Sequence, residues 1–306
     1  MNIVFMGTPI FGRLVLEKLC EKHNILAVVC PLDKPNKRGN KIEFCEVKKL
    51  ALSQGIKVLQ YEKVNQYAGE IRALEPDIII TASFGQIISK ELLEMCPYGT
   101  LNVHGSILPS LRGASPVPQS IMQGFSTTGV SIMRMTERMD EGDVLITREV
   151  EIGDTETASE LMVRLGTIGG EALNDALEIL INGKANFASQ DHNKATYCYK
   201  ITKEDAKIDF SQDANMVKCQ INGLSMEPGA YFEYNGDKIK ILRAKVSNLT
   251  GKAGEILEAT PKKGLIIGCK TGSIEALELQ SPGGKKLMVK DFLNGKKFEK
   301  GTILND

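Results

Sequence analysis

A chain of 306 residues, 42% hydrophobic and 25% charged, has the composition of a globular protein large enough to bury two cores. Its 38 basic and 38 acidic residues cancel, so a nucleic-acid partner would have to be met by a local basic patch. The 7 cysteines are scattered, odd in number and without a C-x-x-C pair, which excludes a disulfide framework or a cysteine zinc site. MNIVFMGTPIFG opens directly on a strand with no basic leader. No run approaches the roughly 18 apolar residues of a membrane helix, so a soluble, cytoplasmic protein is expected.

In chain order, NIVFMG reads as a strand, and FGRLVLEKLCEK carries Phe11, Leu14, Val15 and Leu19 at helical spacing. ILAVVC, KVLQ, DIIITAS and TLNVH are further strands, separated by the helical segments FCEVKKLALSQG, YAGEIRALEP and ISKELLEMCP. DIIITAS is apolar throughout, as a strand covered on both faces must be. Strands alternating with helices of this length predict a mostly parallel, Rossmann-like α/β sheet with helices on both faces. GVSIMRM and DVLITREVEI then form two strand-like runs. ETASELMVRLGTIGGEALNDALEILING follows as one long helix or two, with Thr155 or Thr157 as N-cap.

Hydrophobic period is lost in KANFASQDHNKATYCYKITK, which predicts a linker over 184–203 between domains at 1–183 and 204–306. Beyond it, GAYFEY, DKIKILRAKV, GEILEAT, GLIIGCK, SIEALELQ and KLMVKDFLNG read as short strands. Tyr234-Asn235-Gly236-Asp237 is a strong hairpin signal. Such strands in about 100 residues suggest a small β-barrel of the OB-like kind.

Within TLNVHG, Asn102 and His104 alternate onto the same side of one strand, roughly 7 Å apart, with Gly105 directly behind them. In an open parallel sheet, ligands gather beyond the carboxyl ends of the strands, and this pair sits at such an end. A neutral amide donor suits a developing oxyanion, and an imidazole supplies or withdraws a proton near neutrality. The pair therefore suits attack on a carbonyl-like carbon. MDEGD brings Asp140, Glu141 and Asp143, any of which could serve His104; the spacing does not choose among them.

GTPIFG is neither G-x-G-x-x-G nor a Walker A sequence, which argues against a dinucleotide or ATP site. DKPNKRGNK crowds Lys34, Lys37, Arg38 and Lys41 after the second strand, and nine lysines face four acids between 262 and 300. Either segment could clamp phosphates or simply be a solvated face.

With these segments in view, the chain resembles the methionyl-tRNA formyltransferase family over essentially its whole length. FMGTPIFG, LDKPNKRGNK, LNVHGSILPSLRGASPV, MDEGDVL and LQSPGGKKLMVKDFLNG carry the resemblance. The element N-x-H-G-S-x-L-P-x-x-R-G is shared by folate-dependent formyltransferases generally; the basic loop and the added C-terminal domain narrow it to the tRNA enzymes. The resemblance implies formyl transfer from 10-formyltetrahydrofolate, as co-substrate and without a metal, to the α-amino group of methionyl initiator tRNA. It places the catalytic Asn, His and Asp on Asn102, His104 and Asp140. Folate contacts fall on Ser106, Ile107, Leu108 and Pro109, and at the pteridine edge on Gln86, Ile87 and Ile88. The tRNA-reading loop falls on Lys37, Arg38 and Lys41, and the C-terminal domain is expected to bind tRNA. A monomer is expected. Two departures stand out: SMEPGAYF replaces an aromatic Pro-Trp-Pro-Gly-like run in a chain with no Trp, and Asn40 stands where a further cation is usual.

Two other readings compete. One keeps the chemistry and takes an amino sugar nucleotide as acceptor, against which the basic loop and GTPIFG argue. The other is a non-catalytic tRNA-binding relative, disfavoured by the intact Asn, His and Asp.

Overall fold

The computed structural model describes residues 1–35 and 42–304. The chain forms two compact units. The first gathers Met1–Pro116, Thr128–Val150 and Met162–Cys198; the second gathers Val117–Thr127, Glu151–Leu161 and Tyr199–Asp306.

The first unit is built on a seven-stranded sheet. Its order is Val144–Glu151, Thr127–Arg134, Thr100–His104, Ile78–Ala82, Asn2–Gly7, Asn24–Cys30 and Val58–Gln60. The five strands from Thr100–His104 to Val58–Gln60 run parallel, and Thr127–Arg134 adds antiparallel to them. Ile78–Ala82 is buried along its whole length, as its predominantly apolar sequence leads one to expect. After the first three parallel strands in sequence, the chain returns to the other side of Asn2–Gly7 to lay down Ile78–Ala82 and Thr100–His104. That reversal opens a crevice beyond the carboxyl ends of the strands, where ligands bind in sheets of this type.

The long helical pattern is one helix, Ala158–Ile181. Thr157 begins it with a reciprocal cap. Its backbone N–H donates to Glu160 Oε2 at 3.0 Å, and Glu160 N–H returns to Thr157 Oγ1 at 3.4 Å. The helix expected over YAGEIRALEP is shorter, a 3-10 turn at Val64–Tyr67 leading into Ala68–Arg72.

The second unit carries one antiparallel sheet in the order Tyr231–Tyr234, Asp237–Ser247, Ser273–Gln280, Gly264–Gly268 and Ile256–Thr260, with Lys286–Met288 also paired to Ser273–Gln280. The sheet expected there is present as a half-barrel: its two edge strands do not pair with each other among the described residues. Asn235 and Gly236 both take positive φ, the backbone a two-residue hairpin turn needs. Two helices were not anticipated. Ala214–Gly223 is capped by the Asp213 carboxylate, which accepts from Asn215 N–H. In KLMVKDFLNG only Lys286–Met288 is strand; Val289–Gly295 is helical and turns Phe292 and Leu293 into the core with Phe232, Ile241 and Phe298. Apolar runs this short carry no decisive period, and packing chooses between helix and strand.

The segment 184–203, expected as a linker, is divided. Through Cys198 it belongs to the first unit. Ala188 bridges Val144, and Tyr197–Cys198 pairs with Arg112–Gly113. Most of its side chains are exposed, and Gln190 and Thr196 make polar contacts with the loops at Asp140–Gly142 and Leu111, so no hydrophobic repeat marks it.

Candidate active site

Asn102 and His104 lie on Thr100–His104, between the parallel partner Ile78–Ala82 and the antiparallel partner Thr127–Arg134. Both side chains come from the same side of the strand at its carboxyl end. Thr81, opposite Asn102 on the neighbouring strand, donates its hydroxyl to Asn102 Oδ1 at 2.8 Å. With the amide oxygen engaged, the Asn102 NH2 group is the part left to meet a ligand.

His104 is buried, and its Nε2 lies 3.0 Å from the Leu111 carbonyl. A carbonyl only accepts, so Nε2 carries the hydrogen and neutral His104 keeps a bare lone pair on Nδ1. The ring is thus oriented by backbone, and the neutral form has no spare N–H for an oxyanion. Leu111 itself sits at φ 57, in the left-handed region that costs a non-glycine residue energy. Its carbonyl also accepts from Cys198 Sγ at 3.3 Å; burial pushes that thiol up, so it remains a donor.

Asp140 Oδ2 lies 3.7 Å from His104 Nδ1 and accepts from Gly113 N–H at 2.8 Å. Asp140 therefore stands beside His104, which follows Asn102 by two residues on the same strand. The separation is an ion-pair distance, longer than a hydrogen bond, so Asp140 faces the Nδ1 position without clamping it. Asp140 has φ 54, a conformation Asp tolerates better than most residues. Two glycines make the approach possible. A Cβ on Gly113 would stand 2.2 Å from the Cys198 carbonyl oxygen, and one on Gly142 would stand 1.8 Å from that of Arg134. Glu141 turns instead to Arg112, 3.6 Å away, and Asp143 is exposed.

The loop after His104 is tied down by its own polar groups. Ser106 Oγ donates to the Ser110 carbonyl at 2.5 Å. Ser131 Oγ donates to the Ser106 carbonyl at 2.8 Å and accepts from Leu108 N–H at 3.1 Å. Ser106 and Leu108 are buried, and Ile107 and Pro109 are partly open. Gln86 spends its side chain on Val64 N–H and the Tyr61 carbonyl, and the Ile87 carbonyl already accepts from Asn65 Nδ2 at 3.0 Å. The Ile87 side chain is 85% exposed, and Met139, next to Asp140, is 64% exposed. Ile88 is buried.

Lys37, Arg38 and Lys41 lie outside the described residues. The backbone flanking them is paired, Lys34–Pro35 against Ile42–Glu43. On either side of this ribbon in the chain, Lys48 Nζ donates to Asp33 Oδ2 at 2.5 Å and to Gln60 Oε1 at 2.7 Å, while Gln60 Nε2 donates to the Pro31 carbonyl at 2.8 Å.

Thr81, Ser131, Gln190 and the Leu111 carbonyl were not identified from the sequence. Arg112 was visible only as the Arg of the shared R-G motif. Each partner is remote in the chain or is backbone, so no local spacing marks it. Among the described residues, no group of His, Cys, Asp and Glu could hold a metal ion, and no helix is long and apolar enough to cross a membrane.

Comparison with known proteins bears on the family and the fold. Residues 1–177 match the formyl transferase family, and residues 200–297 match the formyl transferase C-terminal domain. The methionyl-tRNA formyltransferase of Geobacter sulfurreducens is 38% identical, the match covering 100% of this chain and 97% of that protein. The one from Caldanaerobacter subterraneus subsp. tengcongensis is also 38% identical, covering 99% of this chain and 100% of the relative. Among solved structures, an N-formyltransferase from Helicobacter canadensis, in complex with folinic acid and dTDP-3-aminofucose, shares the fold at a TM-score of 0.68 and 19% identity, over 92% of this chain and 99% of that one. The methionyl-tRNA formyltransferase from Clostridium thermocellum superposes with a TM-score of 0.58 at 20% identity, over 82% of this chain and 95% of that one. With both domains matched and full-length identity well above the level at which fold alone is shared, the chain belongs to the methionyl-tRNA formyltransferase family.

Proposed function

We propose that this protein transfers the formyl group of 10-formyltetrahydrofolate to the α-amino group of methionine carried by initiator tRNA, as a cytoplasmic monomer that uses no metal. The observation that carries the reading is Asp140 Oδ2 standing 3.7 Å from His104 Nδ1, with Asn102 two residues before His104 on the same strand.

A substrate α-amine has a pKa near 7.7–8.0, so a useful neutral fraction exists at pH 7. As its nitrogen bonds to the formyl carbon, Asn102 Nδ2 donates to the oxygen that takes up negative charge. His104 Nδ1, bare in the neutral tautomer, accepts the proton the amine loses, and the imidazolium so formed faces the Asp140 carboxylate. When the bond from the formyl carbon to N10 breaks, the electron pair goes to N10, and His104 returns the proton there. No covalent enzyme intermediate is required. A His104 N–H contributes to the oxyanion only after this proton uptake, because Nε2–H is committed to Leu111.

The residues present suit a folate. Ser106–Pro109 would line its path, and backbone near Gln86–Ile88 would meet the pteridine edge. Ile87 and Met139 offer exposed apolar surface to an aromatic ring. Lys37, Arg38 and Lys41, with the lysine-rich C-terminal unit, would hold the phosphates of the tRNA.

Purified protein mixed with 10-formyltetrahydrofolate and charged initiator tRNA is expected to yield formyl-methionyl-tRNA. Turnover on an amino sugar nucleotide in place of the tRNA, or tRNA binding without folate binding, would overturn the reading.

A further inference from the structure

Arg112 is 1% exposed, and a buried guanidinium must be met on every side. Its Nε and Nη2 both donate to Gln190 Oε1, at 3.1 and 2.8 Å, and Nη2 lies 3.0 Å from His192 Nδ1, which can only be accepting. Nη1 stands 3.6 Å from Glu141 Oε1. The guanidinium thereby decides which way the Gln190 amide points. Its oxygen faces Arg112, so its NH2 group faces the turn that carries Asp140. Gln190 Nε2 donates to the Asp140 carbonyl at 2.9 Å and to the Gly142 carbonyl at 2.6 Å, gripping the backbone on both sides of Glu141.

The turn has reason to need a grip. Asp140 holds positive φ, and Gly142 is packed so tightly against the Arg134 carbonyl that no side chain fits. Arg112–Gly113 supplies both ends of the arrangement: the guanidinium that sets Gln190, and the Gly113 N–H that receives the Asp140 carboxylate. Neither Gln190 nor Arg112 is among the groups that meet the substrates in the mechanism above.

We infer that Gln190, oriented by Arg112, is a positioning residue that holds the Asp140 turn so that the carboxylate stands opposite His104 Nδ1. The inference rests on the reading of Asp140 as catalytic. Without Gln190 the carboxylate keeps its Gly113 tether, while the Asp140 and Gly142 carbonyls lose the Gln190 donor. A misplacement of about 1 Å at a reacting group can cost about 10²-fold in rate.

The test is a double-mutant cycle on the full-length protein, with 10-formyltetrahydrofolate and charged initiator tRNA as substrates. Gln190→Leu is expected to lower kcat by about 10- to 100-fold and leave both KM values within about threefold. In an Asp140→Asn background, the same change is expected to cost no more than about twofold further, because the group it positions is already lost. Hydrogen exchange in the peptide over 137–144 should accelerate in Gln190→Leu and stay unchanged over the parallel strands. If Gln190→Leu does not fold, Gln190→Glu carries the same expectation, since it keeps the acceptor for Arg112 and removes both donors to the turn. A folded Gln190 variant with wild-type kcat, a loss confined to KM, or a fully additive cycle overturns the inference while Asp140→Asn remains impaired. Wild-type turnover in Asp140→Asn instead removes the catalytic reading of Asp140, and this inference with it.

Discussion

The Thr81 hydroxyl, on the strand beside Asn102, donates to Asn102 Oδ1 at 2.8 Å. One hydrogen bond thereby assigns the two ends of an otherwise symmetric-looking amide: oxygen toward the neighbouring strand, NH2 toward the site. Thr81→Val keeps the shape and loses the donor, freeing the amide to turn its oxygen to the substrate. We expect kcat to fall about tenfold, the worth of one ordinary hydrogen bond, with KM for folate little changed. Thr81→Ser should restore the rate. Steady-state kinetics of the two variants side by side check this, and equal rates for Val and Ser would refute it.

Asp140→Asn retains an oxygen for Gly113 N–H and removes the charge opposite His104 Nδ1. Turnover should drop by about 10²–10⁴-fold, the usual contribution of a general acid–base group, while thermal unfolding stays close to wild type. His104→Ala should lose at least as much. Near-normal kinetics in either variant, measured with saturating folate, would show that protons travel by another route.

Lys48 is buried where the basic segment begins and binds both Asp33 and Gln60. Partial burial of Asp33 acts against its charge, but the hydrogen bonds from Lys48 and Gln60 win and hold its carboxyl below the usual range. A depressed carboxyl stabilises the fold above its unfolded pKa of about 3.9 and loses that contribution as pH falls through the folded value. Lys48→Met should therefore cost about 1.5–3 kcal/mol at pH 7 by urea denaturation. The gap to wild type should narrow below about pH 4. A gap independent of pH would mean that packing, not charge, explains the loss.

Cys45 precedes the helix Glu46–Ser53. A hydrogen bond from the Cys30 thiol, outweighing the effect of partial burial and joined by the backbone N–H groups of Lys48 and Val47, lowers its thiol to about 6. Burial instead pushes Cys96 up to about 11 and Cys269 up to about 12. Because the thiolate is the nucleophile, alkylation of Cys45 should already be advanced at pH 7, where those two remain unmodified. Peptide mass mapping after brief iodoacetamide treatment across pH 5–9 reads this directly. Uniform labelling that begins only near pH 8.5 would contradict it.

The parallel half of the first sheet is legible because its signal is local. Each of NIVFMG, ILAVVC and DIIITAS is an apolar run bounded by helical spacing, and the end of TLNVH follows from counting residues along one strand. The candidate site residues are local in the same way: Asn102 and His104 are two apart on one strand, and the family resemblance, not spacing, picked Asp140 from MDEGD. In the second unit the hairpin at Asn235-Gly236 declared itself through residues that accept positive φ, whereas Ala214–Gly223 and Val289–Gly295 did not, because their helical state is decided by which core they face.

What the chain's sequence determined alone is a list of groups and the edge of the sheet that bears them. Folding decided which of their atoms are available. His104 keeps Nδ1 bare because Nε2 is spent on Leu111, Asn102 turns its NH2 outward because Thr81 takes its oxygen, and Asp140 is reached by an amide 50 residues away in a stretch that reads as linker. Hydrophobic period reports a residue's near neighbours and the face it buries. The direction of a polar side chain is set by partners distant in sequence, and only the packed chain brings those within 3 Å.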